Sequence, residues 1–378
     1  MNSAQLLPIG YSETTDRRAI RKIPSEAWQE IFKWTLVGQP PFDISQTQEG
    51  PWLLGRVCSW LRVLVVSRSP LWTNFKLDVP CQSLTRVTVP SAQSYGHLLR
   101  SVLDRSGGLP FTFSLTIEDT STGIILIPIL VEEIKRWKSA CIMAHRSILE
   151  LISEEYTESN EARGYPTETA QVLELIDLMA FDDTQGLWMW SGEVFRDVPR
   201  LRSVRLLGVF TKEIPWEQLT DLCIGKAIFS DVLNILSRCH RLRRLRLPRG
   251  FATEADLAHS ENSPSEDSAV TGPEPKEAES VPEERGSTGG TCRSKIVLAD
   301  LQELELFDTE ILTHLHAPSS KVLTIKATLV FDPDAALDDF TTLSDFLTSC
   351  STIRVLDVVI SGFDANSLAE AFPLMPEV

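Results

Sequence analysis

The chain lacks any run of about 18 or more apolar residues, so no membrane-spanning helix is expected. Its first twenty residues, MNSAQLLPIGYSETTDRRAI, lack the apolar core of roughly 7–15 residues that a secretory signal needs. The seven cysteines (58, 81, 141, 223, 239, 292 and 350) are odd in number, scattered, and form no CxxC pair. Such thiols read as small buried hydrophobes in a reducing compartment, not as disulfides or a zinc cluster. No Asn-x-Ser/Thr acceptor with a permitted middle residue occurs either. The expected location is cytoplasmic, nuclear or both. Positive charge is also short, with 36 Lys and Arg against 52 Asp and Glu and a formal net charge of −16. General nucleic-acid and anionic-membrane binders need a basic footprint, so neither partner is expected. The local basic run of Arg241, Arg243, Arg244 and Arg246 reads as a solvated strand edge.

Catalytic signatures are missing as well. There is no GxxxxGK[ST] phosphate loop, no GxGxxG, no GxSxG and no HExxH. His314 and His316 have no further Cys or His nearby in sequence, and Cys239-His240 reads as a cap and loop. No catalytic residue, cofactor or metal is therefore expected, and a non-enzymatic role is the reading.

What is present is enough apolar content, 43% of 378 residues, for a sizeable core. Residues 1–19 read as a flexible N-terminus. The block from 20 to 76 holds five of the nine tryptophans, at 28, 34, 52, 60 and 72. Pro24 and Ser25 open a helix in which Trp28, Ile31, Phe32 and Leu36 form one stripe, and Gly38 closes it. The polar stretch FDISQTQEG reads as a loop. A second helix from Pro51 carries Leu54, Val57, Cys58, Leu61, Leu64 and Val65 on one face. Ser69-Pro70 then starts a short third helix with Leu71, Trp72 and Phe75.

From about residue 95 the texture changes. HLLRSVLDRSGG is an amphipathic helix ended by a glycine pair. FTFSLTI alternates as a strand, with Phe111, Phe113, Leu115 and Ile117 on one face. IPILVEEIKRWKSACIMA runs from helix into strand. A unit of the form apolar-x-x-apolar-x-apolar then recurs: LRSVRL, LTDLCI, LRRLRL, LQELEL, the weaker SKVLTI, and IRVLDV. Their first places are 201, 219, 242, 301, 320 and 353, so the gaps are 18, 23, 59, 19 and 33. Three gaps lie near the roughly 20–29 residues of a leucine-rich repeat. WKSACI (Trp137, Ala140, Ile142) and AQVLEL (Ala170, Leu173, Leu175) are earlier candidates. FSDVLNILSRC and LSDFLTSC read as helices between units. The expected fold is α/β: three N-terminal helices, then an irregular solenoid with a parallel sheet and helices. The solenoid would run over 77–250 and 295–378. Between them, residues 251–294 carry ten acidic and three basic residues, a net of −7. That segment has too little apolar surface to offset an ordering entropy of about 1–2 kcal/mol per residue, so it reads as a disordered insert.

The N-terminal block resembles an F-box. The residues that carry the likeness are Ile23-Pro24, Glu26, Ile31-Phe32, Val57-Cys58, Leu61-Arg62 and Leu71-Trp72. LLGRVCSWLRVLVVSRSPLW, HLLRSVLDRSGGLPFTFSL and PWEQLTDLCI look like the F-box proteins abundant in gilled mushrooms. Two positions depart from the pattern: Trp28 stands where the family usually has leucine, and Leu61 where it usually has tryptophan. The resemblance implies a substrate-recognition adaptor of a Skp–cullin–F-box ubiquitin ligase. Pro24, Trp28, Ile31, Phe32, Leu54, Val57, Leu61 and Trp72 would form or support the face that docks a Skp-type adaptor, and through it cullin and RING subunits. Pro24, Trp28 and Ile31 are expected to point to the partner, with Val57, Leu61 and the nearby Leu64 inward. The concave strand surface of the repeats would hold a substrate protein. The alternative is a leucine-rich-repeat binding scaffold whose F-box no longer docks.

Overall fold

The computed structural model describes residues 23–36, 40–80, 91–163, 170–181, 188–225, 227–251, 295–326, 342–350 and 352–359. Eleven strands lie side by side in chain order: β1 (Phe42–Asp43), β2 (Asn74–Val79), β3 (Phe111–Ile117), β4 (Trp137–Ala144), β5 (Leu175–Ala180), β6 (Ser203–Leu207), β7 (Asp221–Ile224), β8 (Arg244–Leu247), β9 (Glu303–Leu306), β10 (Val322–Ile325) and β11 (Val355–Val358). Every neighbouring pair is parallel. The mixed α/β class expected from the sequence is what the chain adopts.

Parallel neighbours cannot be joined by a tight hairpin, so each needs a crossover. Between β2 and β8, four of these contain helices: α4 (Ala92–Ser106), α5 (Thr120–Val131), α6 (Arg146–Arg163) and α7 (Phe229–Arg238). A further helical stretch covers 342–349. Asp119 opens α5 by accepting hydrogen bonds from the Thr122 backbone N–H (3.0 Å) and from the Ser121 and Thr122 hydroxyls. Gly107, at φ 59°, closes α4 in a backbone geometry that side chains disfavour. α5 is apolar on nearly every side and lies between α4 and α6. A Cβ at Gly123 would come within 2.9 Å of the Ile148 side chain, so the bare glycine lets α5 and α6 approach.

The sheet register explains the repeat. Phe75, Phe113, Ala140, Ile176, Val204, Leu222, Leu245, Leu304, Leu323 and Leu356 stand in one row across ten strands. They are the middle apolar residue of each unit. A one-residue slip would turn them out to the other face, so the shared burial holds the register. One frame differs from the sequence reading. In β5 the unit is Leu173, Ile176 and Leu178, all fully buried, and not Ala170, Leu173 and Leu175. Both frames fit the pattern, and the pairing of Ile176 with Ala140 selects the later one. The basic run is also placed differently. β8 is an interior strand, and Arg244 and Arg246 lie on the sheet face opposite Leu245 and Leu247.

The N-terminal block comprises α1 (Ser25–Leu36), α2 (Gly50–Val57), α3 (Ser59–Val66) and a single 3-10 turn (Ser69–Trp72). Two sequence expectations change here. The single helix expected from Pro51 is broken at Cys58, which is extended (φ −160°, ψ 166°) and whose Sγ accepts from the Leu61 N–H at 3.5 Å. The stretch expected as a loop contains β1, and Ile44 just after it is fully buried. Asp43 is buried too, and accepts from the Ser45 N–H (2.9 Å) and hydroxyl (2.7 Å). Strand β2 runs across position 76, and one continuous apolar cluster extends from Phe32 to Cys350. The terminus 1–19 that was expected to be flexible, the expected insert from residue 252 to 294, and the last nineteen residues lie outside the described residues.

Candidate functional site

Two surfaces can engage a partner: the outer side of the N-terminal helices and the open face of the sheet. On the helices, the residues expected to form or support a docking face separate by burial. Phe32, Leu61 and Trp72 are core, at 1%, 4% and 1% exposure. They support the helices and cannot themselves touch a partner in this arrangement. Trp72 is fixed by its indole N–H, which donates to the Val65 carbonyl at 3.0 Å. Pro24 is exposed, and its carbonyl accepts the Trp28 N–H at 3.2 Å as the first turn of α1. Trp28 and Leu54 are half-buried.

Val57 was expected inward and is instead 61% exposed. The extended Cys58 resets the helical phase, so residues before and after it do not share one stripe. Ile31, at 41%, is exposed as expected.

Exposure adds four residues that the sequence reading passed over: Trp34 (81%), Leu53 (50%), Val63 (70%) and Val66 (41%). With Ile31 and Val57 they form three pairs, Ile31–Trp34, Leu53–Val57 and Val63–Val66. Each pair has the three- or four-residue spacing that makes neighbours on a helix surface. The signal was readable: an apolar pair lying off the buried stripe of its own helix.

Trp28 packs edge-on against Trp60 with ring centroids 5.9 Å apart, and against Phe32 at 5.6 Å. Trp28 thus joins α1 to α3, and Trp60 fills the position next to Leu61. Among the described residues the buried Trp28 indole N–H finds no hydrogen-bond partner.

No protein-family model matches this chain, and no curated protein matches it. The physical description of its surfaces therefore carries the functional reading.

The open face of the sheet is polar and charge-paired. Asp177 meets Arg205 at 3.3 Å across β5 and β6, and Arg244 pairs with Asp221 across β8 and β7. Glu305 receives Arg246 at 3.6 Å and Lys326 at 2.6 Å. Burial raises the Asp177 carboxyl above the ordinary aspartate value, with Arg205 opposing it. Burial likewise raises the Cys141 and Cys223 thiols, which sit in the same row and so are poor nucleophiles. A shallow depression of about 120 Å³ lies over Ser203, Arg205, Asp221, Cys223, Arg244 and Arg246. Among the described residues no three His, Cys, Asp or Glu side chains converge to hold a metal ion. Nor is any described helix long and apolar enough to cross a membrane. Chemically, these surfaces offer apolar contact on the helices and ordered polar contact on the sheet.

Proposed function

We propose that the chain is a substrate-recognition adaptor of a Skp–cullin–F-box ubiquitin ligase. On this reading the N-terminal helices are an F-box that docks a Skp-type adaptor, and the sheet with its crossovers is an irregular leucine-rich-repeat domain that holds a substrate protein. The protein supplies proximity and no bond chemistry of its own. The observation that supports it is the set of three exposed apolar pairs on α1, α2 and α3. Among the described residues, six of the thirteen exposed large hydrophobic side chains fall between residues 31 and 66, a concentration that marks an interaction surface.

The test is co-expression with a Skp-type adaptor followed by affinity capture. Ile31→Asp with Trp34→Asp is the informative variant, because both side chains are exposed and their loss leaves the core intact. Phe32 is a poor probe, since a charge there would unfold the helix it anchors. The wild-type chain is expected to co-purify with the adaptor and the double variant to lose it, with circular dichroism unchanged. Equal capture of the two, or capture of neither, rejects the docking role; the second result leaves a binding scaffold.

A further inference from the structure

The upstream edge of the sheet carries cations of a different kind from those on its open face. From β4 to β11, one residue at or just before the start of each strand is tied to its counterpart on the next by a backbone hydrogen bond. Glu174 N–H donates to Lys138 C=O (2.8 Å), Arg202 to Glu174 (2.9 Å), Thr220 to Arg202 (2.8 Å) and Arg243 to Thr220 (2.8 Å). Gln302 then donates to Arg243 (2.8 Å), Lys321 to Gln302 (2.8 Å) and Arg354 to Lys321 (2.9 Å). These bonds fix eight residues in a single row along the edge. Five of the eight are basic: Lys138, Arg202, Arg243, Lys321 and Arg354, all exposed.

On the open face each arginine has a carboxylate. Along the edge, no described carboxylate lies within ion-pair distance of these five, nor of Arg241. Arg202 makes one bond, to the Gln218 carbonyl at 3.1 Å. A groove of about 360 Å³ opens there, lined by Arg202, Gln218, Thr220, Arg241, Arg243 and Asp300. Asp300 lines the groove and Glu174 stands in the row. The chain as a whole carries a net charge of −16, yet among the described residues these cations form no ion pair.

We infer that the upstream edge is a docking site for an acidic, extended segment of a partner protein. The spacing supports a peptide. Strands are about 4.8 Å apart, so Lys138, Arg202, Arg243 and Lys321, on alternate strands, recur at about 10 Å. Three residues of polyproline-II chain span about 9.3 Å, which brings every third side chain to one face. A segment with a carboxylate or phosphate at every third position therefore matches the row. Nucleic acid fits less well, since a long polyanion would extend over the acidic remainder of the surface. A short peptide feels only charges within about 8 Å at physiological salt. The inference does not depend on whether the N-terminal helices dock an adaptor.

The test uses the full chain and fluorescence anisotropy with three labelled probes. These are a proline-rich 15-residue peptide with Glu at every third position, the same peptide with Gln for Glu, and a single-stranded RNA of equal charge. The Glu peptide is expected to bind, to weaken as salt rises, and to bind more tightly than the other two. Arg241→Gln with Arg243→Gln should weaken it about tenfold. Arg246→Gln, on the open face, should change it less than about twofold. Four results overturn the inference: no binding, equal binding of the Gln peptide, tighter binding of RNA, or Glu-peptide binding unmoved by the double variant.

Discussion

The Arg105 guanidinium lies 4.6 Å from the ring centroids of both Trp52 and Trp72. The two indoles are themselves edge-on, with centroids 4.8 Å apart. One cation from α4 therefore joins α2 to the turn that leads into β2. Burial pulls Arg105 below the ordinary arginine value, and among the described residues its Nη1 is buried without a hydrogen-bond partner. The ring faces thus carry much of the compensation for its lost water. Arg105→Ala is expected to cost about 1–3 kcal/mol in urea denaturation followed by tryptophan fluorescence. Arg105→Lys should recover only part, because a compact ammonium cannot lie flat on two rings. A loss below about 0.5 kcal/mol for the alanine variant would show that the contact is incidental.

At the scale of elements, the sheet was far more legible than the helices. A period of two with one buried face leaves a repeated signature, and neighbouring strands share it, so LRSVRL, LTDLCI, LRRLRL and LQELEL could be aligned by eye. Where two frames overlapped, as in AQVLELIDL, only the partner strand could choose. Two further copies escaped notice: Trp72, Phe75 and Leu77, and Pro110, Phe113 and Leu115. Trp72 had a second reading as the end of a helical block, and Pro110 is not an obvious apolar mark. The break at Cys58 was hidden for another reason. No Gly or Pro stands at the break itself, and the Cys58 thiol that caps the next helix at the Leu61 N–H is not an obvious cap in sequence. For the residues expected to form a docking face, the division into core and surface depended on that break and could not be read from the sequence.

Caps, by contrast, follow from local chemistry. Asp119 has its carboxyl held below the ordinary aspartate value by the Ser121 and Thr122 hydroxyls, with the Thr122 N–H adding to them. A lowered folded pKa means that the ionised cap stabilises the protein above the unfolded pKa of about 4, and that this is lost as pH falls through the lower folded value. Asp119→Ala should cost about 1 kcal/mol at pH 7. The gap between the two proteins should close in acid, read from urea midpoints across pH 2 to 7. A gap that does not change with pH would mean that the carboxylate charge contributes nothing.

Considered whole, the molecule has no seam where its N-terminal helices meet the sheet. β2 pairs with β3 over six registered positions, and Phe75 stacks on Phe111 and Phe113 at 5.7 and 6.2 Å. Trp72 belongs both to the helical block, through Val65, and to the first sheet unit. Arg105 adds a third link. If the helices are an F-box, docking force is then delivered to the substrate domain through packed side chains and not through a loose tether. The expected result is one calorimetric transition for the whole described core, lowered as a unit by Arg105→Ala. Deleting residues 1–76 would remove Trp72 and Phe75 and leave half of β2. It would uncover Phe111 and Phe113 and expose the backbone edge of β3, which invites strand addition by other copies. That truncated chain should elute as aggregate in size-exclusion chromatography and lose its cooperative transition. A monodisperse product melting at the temperature of the full chain would instead establish the helical block as a separable unit, and the docking face would have to act without mechanical support from the sheet.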